Sequence, residues 1–148
     1  MAPAPKDRPD VQVFTEIGII DQLVTNRLER VLPQGLSHAQ FGLLTHFARR
    51  GGQESPAQLA KAFQVTKGAM TNTLQRLEAQ GFIRIEADAA DGRRKQVSIT
   101  PKGLEAHDAG LMAMRPQMEA MRSAFTDTEF RAALPFLTAL RTWLDENR

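Results

Sequence analysis

Cysteine is absent from the 148 residues. That removes disulfides, thiol redox sensing and thiolate metal sites together, and it fits a protein of the reducing cytoplasm. No run of about 18 apolar residues occurs, so neither a transmembrane helix nor a membrane partner is expected. The opening MAPAPKDRPD has no apolar core and carries both signs of charge, which excludes a secretory signal and marks residues 1–10 as a loose arm. Histidine is scarce: His38, His46 and His107 are scattered, and no pair has metal-ligand spacing with acids nearby. His46, on a helix with apolar neighbours, reads as a packed or surface histidine. Tyrosine, a Gly-x-Ser-x-Gly elbow and a glycine-rich phosphate loop are all missing. Neither an enzyme nor a metal or cofactor site is expected.

What is present is ordinary in amount and uneven in placement. Apolar residues make up 42% and charged residues 24%, enough for one globular domain with a real core. The net charge is only +2, but Lys61 to Lys102 holds eight cations against four acids, while the flanks are slightly acidic. A basic middle segment points to a polyanionic partner.

Apolar residues from Val13 to Leu32 recur at three and four, the period of a long amphipathic helix with an unusually wide apolar band. Ser37 with Gln40 forms a capping-box signature for a second helix, which Arg49-Arg50-Gly51-Gly52 closes. Ser55-Pro56 with Gln58 opens a short third helix, and Thr66 caps a fourth that Gly81 ends. Two short helices with a tight link between them suggest a helix-turn-helix.

The fourth helix divides at about 100° per residue. Thr66, Thr73, Leu74 and Leu77 fall on the Met70 side, which is the expected buried stripe. Gly68, Thr71, Asn72, Gln75 and Ala79 fall opposite, with Lys67 beside their start. Surface helices are usually rich in Lys and Glu; this face is small, neutral and amide-bearing. Amides can bond adenine edges bidentately, and a threonine methyl can pack on thymine. Thr66, Lys67, Gly68, Thr71, Asn72 and Gln75 are therefore the candidate base-reading set.

After Gly81 the period changes to two. FIRIEA and QVSIT are expected to pair as a hairpin, Ile83 and Ile85 facing Val97 and Ile99, with DAADGRRK at the tip. The tip carries Asp91, Arg93, Arg94 and Lys95. Three adjacent cations repel one another unless an external anion takes up the charge. A helix-turn-helix followed by a cationic hairpin is a winged helix, whose wing meets phosphates and the minor groove. The expected class is mainly α with a small β-hairpin.

Thr100-Pro101 opens the next helix. Along it Leu104, Leu111, Met114, Met118, Met121 and Phe125 keep a heptad seam. Thr126 with Glu129 caps a last helix carrying Leu137 and Leu140, and a kink is expected near Pro116 and near Pro135.

The stretch TKGAMTNTLQRLEAQGFIRIEADAADGRRKQVSITPKG resembles the winged-helix core of the MarR (multiple antibiotic resistance regulator) family. The matching motifs are L-E-x-x-G at Leu77, Glu78 and Gly81, D-x-R at Asp91 and Arg93, and the strand-to-helix SITPKG. The resemblance needs no gap between these motifs, and the helical layout extends it over nearly the whole chain. It implies a homodimer built by the first and the last two helices, with Leu111, Met114, Met118, Met121, Leu137 and Leu140 at the interface. It implies a transcriptional regulator, a repressor on a pseudo-palindromic double-stranded DNA operator, with Arg93 in the minor groove and Asp91 orienting the wing. The implied organisation is an arm at 1–10, a dimerisation helix at 11–35, the winged helix-turn-helix at 36–100 and dimerisation helices at 101–148. It also leaves room for a small aromatic or anionic effector, with no motif here that carries pocket residues over. Two departures are that Ile85 stands where an arginine is frequent, and that Arg94 and Lys95 make the tip unusually basic. The alternative is a winged-helix protein-interaction module, which would need neither the basic tip nor the neutral helix face.

Overall fold

The structure is a computed structural model that describes residues 7–148. The first six residues of the expected arm lie outside the described residues. Two compact units divide at Ala113 and Met114.

In the first unit, α1 spans Pro9–Val31. It begins inside the stretch expected as an arm, because Pro9 takes the first helical position and Asp10 sits where the helix dipole favours an anion. Leu28 is the one buried residue of this helix, while Phe14, Ile19, Ile20, Leu23 and Val24 face solvent. A 3₁₀ turn at Pro33–Gly35 leads to α2 (His38–Arg50), then α3 (Pro56–Phe63) and α4 (Lys67–Ala79). The capping boxes of α2 and α3 form as the sequence predicts: Ser37 and Ser55 each accept from the amide three residues on, and Gln40 and Gln58 reach back. The link between α3 and α4 turns at Gln64, whose φ of 52° is left-handed, a conformation that a non-glycine residue adopts at a cost of about 1 kcal/mol.

Gly81 ends α4 at a φ of 79°, and the chain enters an antiparallel hairpin of β1 (Ile83–Ala87) and β2 (Lys95–Ile99). Ile83 pairs with Ile99 and Ile85 with Val97, the expected register. Outside the hairpin, Glu54 adds a one-residue bridge to Val97 on the free edge of β2. The core gathers Leu43, Leu44, Phe47, Leu59, Leu74, Leu77, Phe82 and Val97, all essentially without solvent contact. At about 1.5–3 kcal/mol for each large side chain, this burial holds α2, α3, α4 and the hairpin as one body.

α5 runs Pro101–Ala124 and crosses the division between the units. Its core contact is made by Gly103, Ala106 and Gly110, a stripe of small residues that lets its backbone lie close to Phe82 and Phe41. Thr100 caps it, accepting from Gly103.

The second unit holds the end of α5 and α6 (Asp127–Glu146). Thr126 and Glu129 form the third capping box, and the reciprocal bonds to Thr126 hold the Glu129 carboxyl below its usual range. Arg122 pairs with Asp127 across the turn at 3.5 Å, and Phe125 meets Phe130 edge-on. Both helices continue through their internal prolines, Pro116 and Pro135. No residue of α6 is buried within the chain; Trp143 is 60% exposed.

Candidate nucleic-acid interface

α4 presents Lys67, Gly68, Thr71, Asn72, Gln75 and Ala79 to solvent and buries Met70, Leu74 and Leu77. The stripe assigned by angle differs at one place. Thr66 is exposed, because it is the N-cap: it lies outside the helical geometry, and its hydroxyl accepts from the amide of Ala69. Thr73 is half-buried and turns its hydroxyl back to the carbonyl of Ala69. The side chains of Thr71, Asn72 and Gln75 make no hydrogen bond among the described residues, so their donors and acceptors are open to a ligand.

The wing tip is organised by two aspartates. Asp91 Oδ1 accepts from the amide of Arg93 at 3.0 Å, its backbone carbonyl accepts from Arg94, and its Oδ2 lies 3.9 Å from Arg94 Nε. Asp88 stands outside the D-x-R motif. Its carboxylate accepts from the amide of Ala90 at 2.8 Å and from Gln96 Nε2 at 3.0 Å. Those two bonds, the backbone one first, hold its carboxyl below the usual aspartate range. An Asp two residues ahead of a free amide is a local turn signal, so DAADG carried the information. The side chains of Arg93 and Lys95 have no ion-pair or hydrogen-bond partner among the described residues. Arg84, further back on β1, spends part of its charge on Glu86 at 3.6 Å.

Recognition helix and wing are tied together. Glu78 accepts from the amide of Ile85 at 3.2 Å, which explains why a glutamate belongs in the L-E-x-x-G stretch. Lys102 donates to the carbonyl of Gln80, and Thr100 to that of Gly81. Between α4 and the hairpin lie two open clefts. One, of roughly 510 Å³, is lined by Lys67, Thr71, Arg93, Arg94 and Lys95 with the start of α3. The other, of roughly 310 Å³, takes in Gln75, Glu78 and Ile85. Lys67, Thr71 and Gln75 of the predicted base-reading set and Arg93, Arg94 and Lys95 of the wing line these adjoining clefts, whereas Thr66, Gly68, Asn72 and Asp91 line neither.

The predicted interface residues divide between the units. Leu111 and Met118 are exposed, Met114 and Met121 half-buried, Leu137 exposed and Leu140 half-buried. Phe41 and Phe47 are core residues: Phe41 stacks on His107 at 5.5 Å, and Phe47 meets His46 edge-on. His46, expected to be packed or at the surface, is buried and bonded to Glu54 at 2.7 Å. Nothing in the periodicity marked Glu54, which sits in a loop. No group of three or more metal-binding side chains occurs among the described residues, and no described helix is long and apolar enough to cross a membrane.

A helix-turn-helix followed by a charged hairpin defines a winged helix-turn-helix protein. The sequence pattern of the MarR family matches residues 34–94. The transcriptional regulator HosA of Escherichia coli is 34% identical over 92 residues, which cover 62% of this chain and 67% of HosA. The crystal structure of MarR superimposes with a TM-score of 0.80 at 26% identity, over 99% of this chain and all of that one. A mutant MarR from E. coli complexed with operator DNA shares the fold, with a TM-score of 0.75 at 20% identity over 94% and 99% of the two chains. The chain belongs to the MarR family of DNA-binding transcriptional regulators.

Proposed function

We propose that the chain works as a homodimer on a pseudo-palindromic double-stranded operator, each subunit offering one α4 and one wing, and that it represses transcription until a small aromatic or anionic effector binds. One observation carries this reading: the unbonded side chains of Thr71 and Gln75 on α4 and the unpaired cations Arg93 and Lys95 of the wing tip line adjoining clefts. In this reading residues 36–100 engage DNA. Lys67, Gly68, Thr71, Asn72 and Gln75 approach base edges in the major groove, with Thr66 at the entry of the helix. Asp91 orients the tip, Arg93 enters the minor groove, and Arg94 and Lys95 meet phosphates.

The flanking helices supply the dimer. Ile20 and Leu23 of α1 and Leu134, Phe136 and Trp143 of α6 are all more than half exposed, apolar surface that a second copy of the chain would cover. Leu111, Met114, Met118, Met121, Leu137 and Leu140 belong to that contact in this reading. Light scattering at micromolar concentration should return twice the chain mass, and a single-chain mass would refute the dimer. Gln75→Ala should cost about 1–3 kcal/mol on the cognate operator and relax preference at one base position per half-site. Equal losses on cognate and random duplexes would show that Gln75 touches only backbone.

A further inference from the structure

The structure carries a largely buried hydrogen-bonded pair that the DNA-binding face does not use directly. His46 lies near the end of α2, 8% exposed, with Phe47 and Phe63 edge-on at 5.6 and 5.3 Å. Its Nε2 donates to Glu54 Oε2 at 2.7 Å, and the Glu54 side chain is only 19% exposed. Arg50 Nε stands 3.7 Å from the other carboxylate oxygen.

Glu54 does a second thing with its backbone. Its amide donates to the carbonyl of Val97 at 3.1 Å, and its carbonyl accepts from the amide of Val97 at 2.8 Å. Val97 is completely buried and stands two residues after Lys95 on the same strand. Among the described residues, Glu54 alone hydrogen-bonds to the backbone of the free edge of the wing. That residue follows Gly51 and Gly52, both at positive φ, where the backbone alone imposes little restraint. The side-chain tie to His46 supplies the restraint.

We propose that His46–Glu54 is a positioning pair for the wing: by clamping Glu54 to α2 it fixes β2, and so the height at which Lys95 and its neighbours meet DNA. The physical cause is the cost of leaving a part-buried carboxylate with only the exposed Arg50, 3.7 Å away, as its partner. Without the imidazole, Glu54 turns toward water and takes its backbone bridge with it. β1 stays anchored through Glu78, so the hairpin persists but its tip is no longer held. The inference rests on the reading that the tip meets phosphates.

The test is a salt titration of the full chain on a fluorescein-labelled mixed-sequence duplex, with amide exchange followed by NMR. In the wild type, Lys95→Ala should flatten the slope of log affinity against log salt by about 1.8, one contact of about 0.9 from each of two wings. In His46→Leu the slope should already be flatter, and adding Lys95→Ala should change it by less than half as much. His46→Gln, whose amide still donates to Glu54, should recover most of the wild-type slope. Glu54→Ala, at a less buried position, should repeat the His46→Leu result even if that variant folds poorly. Exchange at the Val97 amide should rise at least tenfold in His46→Leu and Glu54→Ala, with no comparable change at Leu74. If Lys95→Ala flattens the slope equally in both backgrounds, or if Val97 exchange is unchanged, the pair does not position the wing. If Lys95→Ala leaves the wild-type slope untouched, the phosphate reading has failed, and Val97 exchange alone then decides the positioning role.

Discussion

The hydroxyl of Thr100 donates to the carbonyl of Gly81 at 2.6 Å. The same oxygen accepts from the amide of Gly103 at 3.0 Å. One side chain therefore joins the turn after α4 to the first turn of α5, with the hairpin enclosed between. Thr100→Val keeps the shape and removes both bonds. It should cost about 1–2 kcal/mol, the range of a lost helix cap. Urea unfolding should show a lower midpoint with an unchanged slope.

Two glycines of α5 are packing requirements. A Cβ on Gly103 would lie 2.0 Å from the carbonyl oxygen of Phe82, and one on Gly110 would lie 2.3 Å from the ring of Phe41. The first clash is with backbone that cannot yield; the second is with a side chain that can turn. Gly110→Ala should cost about 1–3 kcal/mol and Gly103→Ala more than that. Gly92→Ala, with nothing within 4 Å, should be close to neutral. Thermal denaturation of the three variants checks the order, and a tolerated Gly103→Ala would contradict the close approach of α5.

Arg93 and Lys95 should differ in kind. Lys95→Ala should weaken binding by a similar factor on every sequence, since a phosphate contact carries no base information. Arg93→Ala should in addition reduce discrimination for narrow, A·T-rich steps. Salt titrations on two operators that differ only in those flanking steps separate the two. Identical behaviour of both variants on both operators would remove Arg93 from the minor groove.

The wing tip should loosen in acid. The bonds from Ala90 and Gln96 favour the ionised form of Asp88, so its folded-state pKa is depressed. Its contribution to tip order is present above the ordinary aspartate range and is lost as pH falls through the depressed value. An NMR titration of the Ala90 amide should therefore show a midpoint below that of an unstructured aspartate. A midpoint at the ordinary value would mean that the Asp88 bonds do not persist in solution. Asp88→Asn should abolish the transition.

The sequence by itself determined the elements and their order, because the signals for these are local. Cap signals at Ser37, Ser55, Thr66, Thr100 and Thr126, the glycine stop at Gly81, and the change of period from 3.6 to 2 each act within a few residues. They placed five of the six helix starts and the hairpin register. At α1 the proline signal of a loose arm outweighed the equally local signal of Pro9 at a helix start. The face of α4 was legible for the same reason, since a helix of known pitch converts spacing into direction; Thr66 escaped because a cap lies outside that pitch. What only the tertiary structure decided is what meets across long separations. The pairing of His46 with Glu54, the bridge from Glu54 to Val97, and the small-residue stripe of α5 against Phe82 and Phe41 have no periodic signature. Each depends on where the packed core brings a loop or a helix face. A charge or a glycine in the sequence does not say what it will be packed against.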